Sequence, residues 1–134
     1  HSDSSLVMRL PKEKIIFAVD FIPLQSVQFR AMADTYLPDL EESLKKVNAL
    51  DWDRLIPGHP GPGGRQIGNK DDVRNQLAYL QDLSAAVKKA ISDGKNYADA
   101  EKEIKLPKYE QWGGYGPFLP LNIERYYDYI NRGI

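Results

Sequence analysis

The sequence predicts an α/β protein. Three observations carry that expectation: two apolar segments of strand length near the start, a Pro- and Gly-rich interruption near the middle, and helical spacing of apolar residues over most of the remaining chain. The interruption is Pro57-Gly58-His59-Pro60-Gly61-Pro62-Gly63-Gly64, in which seven of eight residues are Pro or Gly. No helix or strand runs through such a stretch. It parts a strand-rich 1–67 from a helical 68–134, within what a length of 134 residues predicts to be a single domain.

The elements come in the order β-β-α-β-α-α-α. Residues 5–10 and 14–19 read as strands, and Pro11-Lys12-Glu13 between them is a polar turn of hairpin length. The second strand is apolar on both faces, which suits a strand in the middle of a layered sheet. A helix over 37–47 places Leu37, Leu40, Leu44 and Val47 at spacings of 3, 4 and 3, with Pro38 in its first turn, where no N–H is needed. Residues 54–56 form a short third strand ending at Pro57. A long helix over 71–93 carries Val73, Leu77, Leu80, Val87 and Ile91, with Asn69 as cap, Asp72 three residues on, and Gly94 as its stop. A short helix over 97–104 and a last helix holding Leu119, Ile123, Tyr126, Tyr127 and Ile130 complete the chain.

Composition excludes several classes of function. Residues 1–67 carry 8 basic and 9 acidic side chains and residues 68–134 carry 10 and 10, so there is no electrostatic footprint for nucleic acid or an anionic membrane. No window approaches the roughly 18 apolar residues of a membrane span, and no signal-peptide pattern opens the chain. It opens on His1 rather than Met, which reads as the loss of an upstream segment. The absence of cysteine rules out disulfides and thiolate metal sites without fixing the compartment. Gly113-Gly114-Tyr115-Gly116 has neither the preceding strand nor the Lys-Ser/Thr of a phosphate loop. Trp52 and Trp112 read as packing anchors.

Two histidines and one aspartate stand out. Asp20 ends an otherwise apolar strand, where a scaffold presents a ligand or a base. His59 comes after a strand and sits among glycines that let a bound group come close to the backbone. His1 precedes the first strand. Two imidazoles and a carboxylate at strand ends suit Zn²⁺ or another borderline divalent ion. The same residues also read as a chain terminus, a turn cap and a loop histidine.

The order of motifs narrows that choice. The stretch from His1-Ser2-Asp3-Ser4-Ser5 through the Pro11-Lys12-Glu13-Lys14 turn to Phe17-Ala18-Val19-Asp20 resembles the middle of a metallo-β-lactamase-fold hydrolase, and Leu55-Ile56-Pro57-Gly58-His59 resembles that family's strand closing on Pro-Gly-His. The resemblance covers about residues 1–90 of the chain; residues 109–115 and the last helix are similar to the C-terminal extension of one bacterial branch. It implies the C-terminal half of an αββα sandwich, one mixed sheet with outer helices, from a metal-dependent hydrolase with two Zn²⁺ in the intact fold. By the same resemblance His1 is a ligand of the first metal, Asp20 the carboxylate bridging both metals, and His59 a ligand of the second. Lactams, thioesters, phosphoesters and sulfate esters are all substrates of such proteins. The implied setting is a soluble bacterial protein of the cytoplasm or the periplasm.

Three departures qualify the resemblance. The family's His-x-His-x-Asp-His motif is absent from these 134 residues, Val19 stands in place of Gly before Asp20, and Pro60 comes after His59 in place of Gly. The chain alone is therefore expected to hold zinc weakly or not at all and to be inactive. The alternatives are a non-catalytic self-associating module and a small-ligand-binding α/β domain. Since the resemblance supplies one sheet where the fold stacks two, the chain is expected to form a homodimer or a larger self-assembly, and to bind neither nucleic acid nor membrane.

Overall fold

Pro11 to Lys14 reverse the chain between the first two strands in a computed structural model that describes residues 5–133. Lys14 takes the left-handed conformation (φ 52°) and donates its N–H to the Pro11 carbonyl at 3.3 Å. That turn sets β1 (Met8–Leu10) antiparallel to β2 (Ile15–Ala18), with Met8 opposite Phe17 and Leu10 opposite Ile15. The first strand is shorter than the expected 5–10. Met8 pairs with Phe17, next to the last residue of β2, so only Ala18 remains to face Val7 and residues 5 and 6 extend past the end of β2.

β3 (Arg54–Pro57) lies parallel to β2 on the other side, giving the order β1-β2-β3 and a mixed sheet with β2 at its centre. Parallel neighbours need a crossover, and α1 (Leu37–Ala49) lies within it. Pro38 starts this helix and Leu37, Leu40, Leu44 and Val47 form its buried stripe, as the spacing predicts. Its C-terminal carbonyls are taken up by side chains from further along. Trp52 Nε1 donates to Val47 O at 2.7 Å, and Lys70 Nζ donates to Asn48 O and Leu50 O at 2.8 and 2.6 Å. Trp52 is the buried anchor expected.

α2 (Lys70–Ser92), α3 (Tyr97–Glu103) and α4 (Tyr115–Arg132) complete the order β-β-α-β-α-α-α of an α/β protein. Asn69 caps α2: its Oδ1 accepts from Asp71 N at 2.8 Å, while Asp72 Oδ2 accepts from Asn69 N at 2.8 Å. Gly94, at φ 76°, closes the far end. The buried stripe of α2 differs from the expected one. Leu77 and Ile91 are half-buried, and Gln76, Tyr79, Leu83 and Ala90 join Val73, Leu80 and Val87 inside. Polar residues enter because their tips find partners: Gln76 Nε2 donates to Pro23 O and Ser26 O at 2.9 and 2.6 Å. None of the helices is long and apolar enough to cross a membrane, among the described residues.

The chain packs as two compact units, His1–Ser26 with Asp34–Ala78, and Val27–Ala33 with Tyr79–Ile134. In the first, Ile16, Ala18 and Leu55 point from the sheet into a core that also holds Ile22, Leu24, Leu44 and Trp52. The opposite face of the sheet is different. Met8, Phe17 and Ile56 form a row across the three strands and are exposed.

The second unit is built on a buried polar centre. Asn122 of α4 is fully buried; it accepts from Tyr79 OH at 2.7 Å and donates to Gln28 O and Arg30 O at 3.0 and 2.6 Å. Tyr79 is flanked by Tyr109 and Trp112, at centroid distances of 5.1 and 5.9 Å. Burial pushes the ionisation of the Tyr79 phenol far above the ordinary tyrosine range. Burial and the Asp82 carboxylate that its hydroxyl meets at 2.6 Å raise Tyr109 as well.

Candidate metal centre

The sheet register brings the two described candidate residues together. β2 and β3 run parallel with Ala18 opposite Pro57, so two residues further on Asp20 and His59 leave the same end of the sheet side by side. The ladder continues one step past the strands, Gly58 N donating to Val19 O. Beyond it, His59 Nε2 lies 3.2 Å from Asp20 Oδ1, with the imidazole 82% and the carboxylate 32% exposed. His1 lies outside the described residues. Among the described residues no group of three His, Cys, Asp or Glu side chains converges on one point.

Gly58 permits this approach. A Cβ on it would overlap Asp20 Oδ1 and stand 2.7 Å from Val19 O and 2.9 Å from Val19 Cγ1. Either the backbone of one strand end or the Asp20 carboxylate would have to shift. Gly58→Ala is therefore expected to cost about 1–3 kcal/mol, the usual range for overpacking, and to part Asp20 from His59. Thermal unfolding together with the His59 imidazole resonances by NMR checks both effects; a variant with unchanged melting and unchanged His59 signals would refute this account.

The loop after β3 is held further on by contacts with no short-range signature. Gly61 N donates to Arg65 O at 2.7 Å, and Gly61 is packed so closely on Leu24 that a Cβ would come within 2.8 Å of it. Gly68 exchanges two backbone hydrogen bonds with Leu55, at 2.9 and 2.8 Å. Between them Arg65 makes a two-point contact with the buried Asp72 carboxylate, Nη1–Oδ1 2.7 Å and Nη2–Oδ2 2.8 Å. Asp72 thus starts α2 and anchors the His59 loop at once. Sequence reasoning reached Asp72 only as a capping position and gave no role to Arg65.

Chemically, the pair is an imidazole nitrogen and a carboxylate oxygen at the separation expected of two ligands of one ion. With metal–ligand bonds of about 2.0–2.1 Å, the edge of a tetrahedral zinc site is about 3.3 Å. The donor types suit a borderline divalent ion, and the exposure of His59 leaves one side open for further ligands. Two donors do not close a site. A cleft of about 390 Å³ in the same unit is lined by Val7, Phe21, Tyr36, Asp39 and Lys46 among others and contains neither Asp20 nor His59; the convergence of donors, rather than cavity size, marks the candidate centre.

No protein-family model matches the chain, and none of the curated proteins does. Among solved structures, the chain is similar to a double mutant of the sec-alkyl sulfatase PisA1, with a TM-score of 0.58 and 21% identity over 96% of this chain. The match spans 22% of the sulfatase chain. At that identity the likeness is one of fold alone: these residues are arranged as a segment of the sulfatase.

Proposed function

We propose that the chain carries part of the metal site of a metallo-β-lactamase-type, metal-dependent hydrolase, with Asp20 and His59 as ligands and His1 as a third donor. The observation behind this reading is the 3.2 Å approach of Asp20 Oδ1 and His59 Nε2 at the common end of β2 and β3. The fold likeness to a sulfatase segment supports it independently. Zn²⁺ at such a site supplies Lewis-acid polarisation of an ester oxygen and a hydroxide nucleophile at neutral pH. Within this chain, Asp20 and His59 hold and orient their donor atoms, and Gly58 keeps the two strand ends close enough for both to face one point. Residues beyond these 134 supply the remaining ligands, so the isolated chain binds zinc with open coordination positions and does not turn over substrate. Among ester classes, a sec-alkyl sulfate is the first to try with the complete site.

Titration of the isolated chain with Zn²⁺, monitored by calorimetry, tests this reading. Binding is expected to be far weaker than at a closed four-ligand site, and to weaken by at least about 10-fold in either Asp20→Ala or His59→Ala, since each lost ligand removes bond energy. Nanomolar binding that survives His59→Ala would overturn the assignment. Chelator-sensitive, zinc-restored hydrolysis of a chromogenic lactam or ester by the isolated chain would overturn the expectation of inactivity.

A further inference from the structure

Val27–Ala33 is a short loop that packs into the helical unit with Tyr79–Ile134. Asn122 Nδ2 donates to Gln28 O and Arg30 O at 3.0 and 2.6 Å, and Val27 N donates to Gly113 O at 3.0 Å. The buried amide thus fixes the backbone on both sides of Phe29, yet the Phe29 side chain is 62% exposed. Its ring meets Phe118 of α4 edge to face at a centroid distance of 5.2 Å, and the Arg30 guanidinium lies 4.9 Å from its centroid. Gly114 gives Phe118 its place, since a Cβ there would overlap the Phe118 ring. Arg30 and Met32 take the left-handed conformation, at φ 49° and 47°, which residues with a Cβ rarely adopt. For Met32 the strain is offset by burial of its side chain. Arg30 is exposed, and no carboxylate pairs with it among the described residues.

We propose that Phe29, Arg30 and Phe118 form a binding site for a small apolar molecule that carries one oxyanion, an alkyl or aryl body ending in a sulfonate-like or carboxylate group. The guanidinium supplies a planar fork of donors that matches an oxyanion at two points. Stacking on the Phe29 ring holds that fork in place and leaves its N–H edge free. The two rings beside it are an apolar shelf for the body of the ligand. The clamp by Asn122 and Gly113 orders the loop beforehand, so binding spends little on ordering it. Charge decides the class of occupant. A purely apolar cover would strip water from Arg30 and leave it unpaired, which is costly, whereas an oxyanion on an apolar body satisfies the cation and the rings together. None of the three residues belongs to the sheet, so the site is separate from the exposed row of Met8, Phe17 and Ile56.

The inference does not rest on the metal site and is tested without metal, in a chelator, so that a bound ion cannot hold the anion. The 134-residue chain is titrated with hexane-1-sulfonate, which has no ester bond, and amide resonances are followed by NMR. Saturable shifts are expected to centre on residues 28–31 and Phe118. Arg30→Ala is expected to weaken binding at least about 10-fold, as loss of a charge-assisted hydrogen bond does. Lys88→Ala, which removes the same charge from an exposed position of α2, is expected to leave it unchanged. Methanesulfonate, an anion without the body, and 1-hexanol, a body without the anion, are each expected to bind at least about 10-fold more weakly. Arg30→Gln keeps most of the stem over Phe29 and carries the test if Arg30→Ala fails to fold by circular dichroism. Three results overturn the proposal: no saturable shift at residues 28–31, saturable shifts centred on residues 6–19 of the sheet instead, or unchanged affinity in a folded Arg30 variant.

Discussion

Asn122→Ala is expected to lower the unfolding free energy by about 3–5 kcal/mol, the largest loss from any single polar side chain in this protein. The amide is fully buried and uses both of its ends. Its oxygen accepts the Tyr79 hydroxyl, and its nitrogen donates to the carbonyls of Gln28 and Arg30. Alanine leaves one buried donor and two acceptors without their partner, at about 1–3 kcal/mol for each that stays dry. Part of the loss is returned. Arg30 and Met32 sit at φ 49° and 47°, a conformation that costs a non-glycine residue of order 1 kcal/mol, and the freed loop relaxes. Asn122→Asp does not rescue the protein, because a carboxylate keeps the acceptor for Tyr79 and has no donor for the two carbonyls. Urea unfolding gives the stability, and amide exchange gives the location: residues 27–33 should lose protection first. A shift of less than about 1 kcal/mol, within the scatter of an ordinary surface substitution, would show that the bonds are replaced by water at no cost.

Asp72→Ala is expected to cost about 2–4 kcal/mol and to loosen the loop that carries His59. The carboxylate is 3% exposed and holds Arg65 at two points; its Oδ2 also accepts Asn69 N at the start of α2. Removing it costs a charge-assisted pair and a helix cap together. Arg65 is one-third exposed, so its guanidinium recovers water in the variant, which keeps the loss below that of a fully buried pair. Asp72→Asn keeps the cap and one hydrogen bond to Arg65 and should lose about half as much. The midpoint of urea unfolding should fall without a change in slope, and exchange should quicken in residues 58–68. Unchanged exchange there would mean that Gly58, Gly61 and Gly68 hold the loop without Asp72.

The element order, the start of α1, the ends of α2 to within a residue and the cap at Asn69 were legible in the sequence because each depends on residues within one or two turns of one another. Leu37, Leu40, Leu44 and Val47 declare a helix face by spacing alone, and Asn69 and Gly94 act on backbone groups beside them. Asp20 and His59 were legible as strand-end residues, one at a time. Their meeting was decided by the tertiary structure: the parallel register that sets Ala18 against Pro57 brings side chains 39 positions apart to 3.2 Å, and a glycine at position 58 lets the two backbones close. Spacing in one dimension does not predict that meeting. The exposed row of Met8, Phe17 and Ile56 divides in the same way. An unbroken apolar run marked the second strand as apolar on both sides, but only the packing of the chain decided that Ile16 and Ala18 face the core and Phe17 faces out. The Arg65–Asp72 contact and the bonds from Asn122 to Gln28 and Arg30 had no local signal at all. Hydrogen bonds between side chains and distant backbone depend on which surfaces the fold brings together, whereas helix and strand periodicity depends on the geometry of the chain itself.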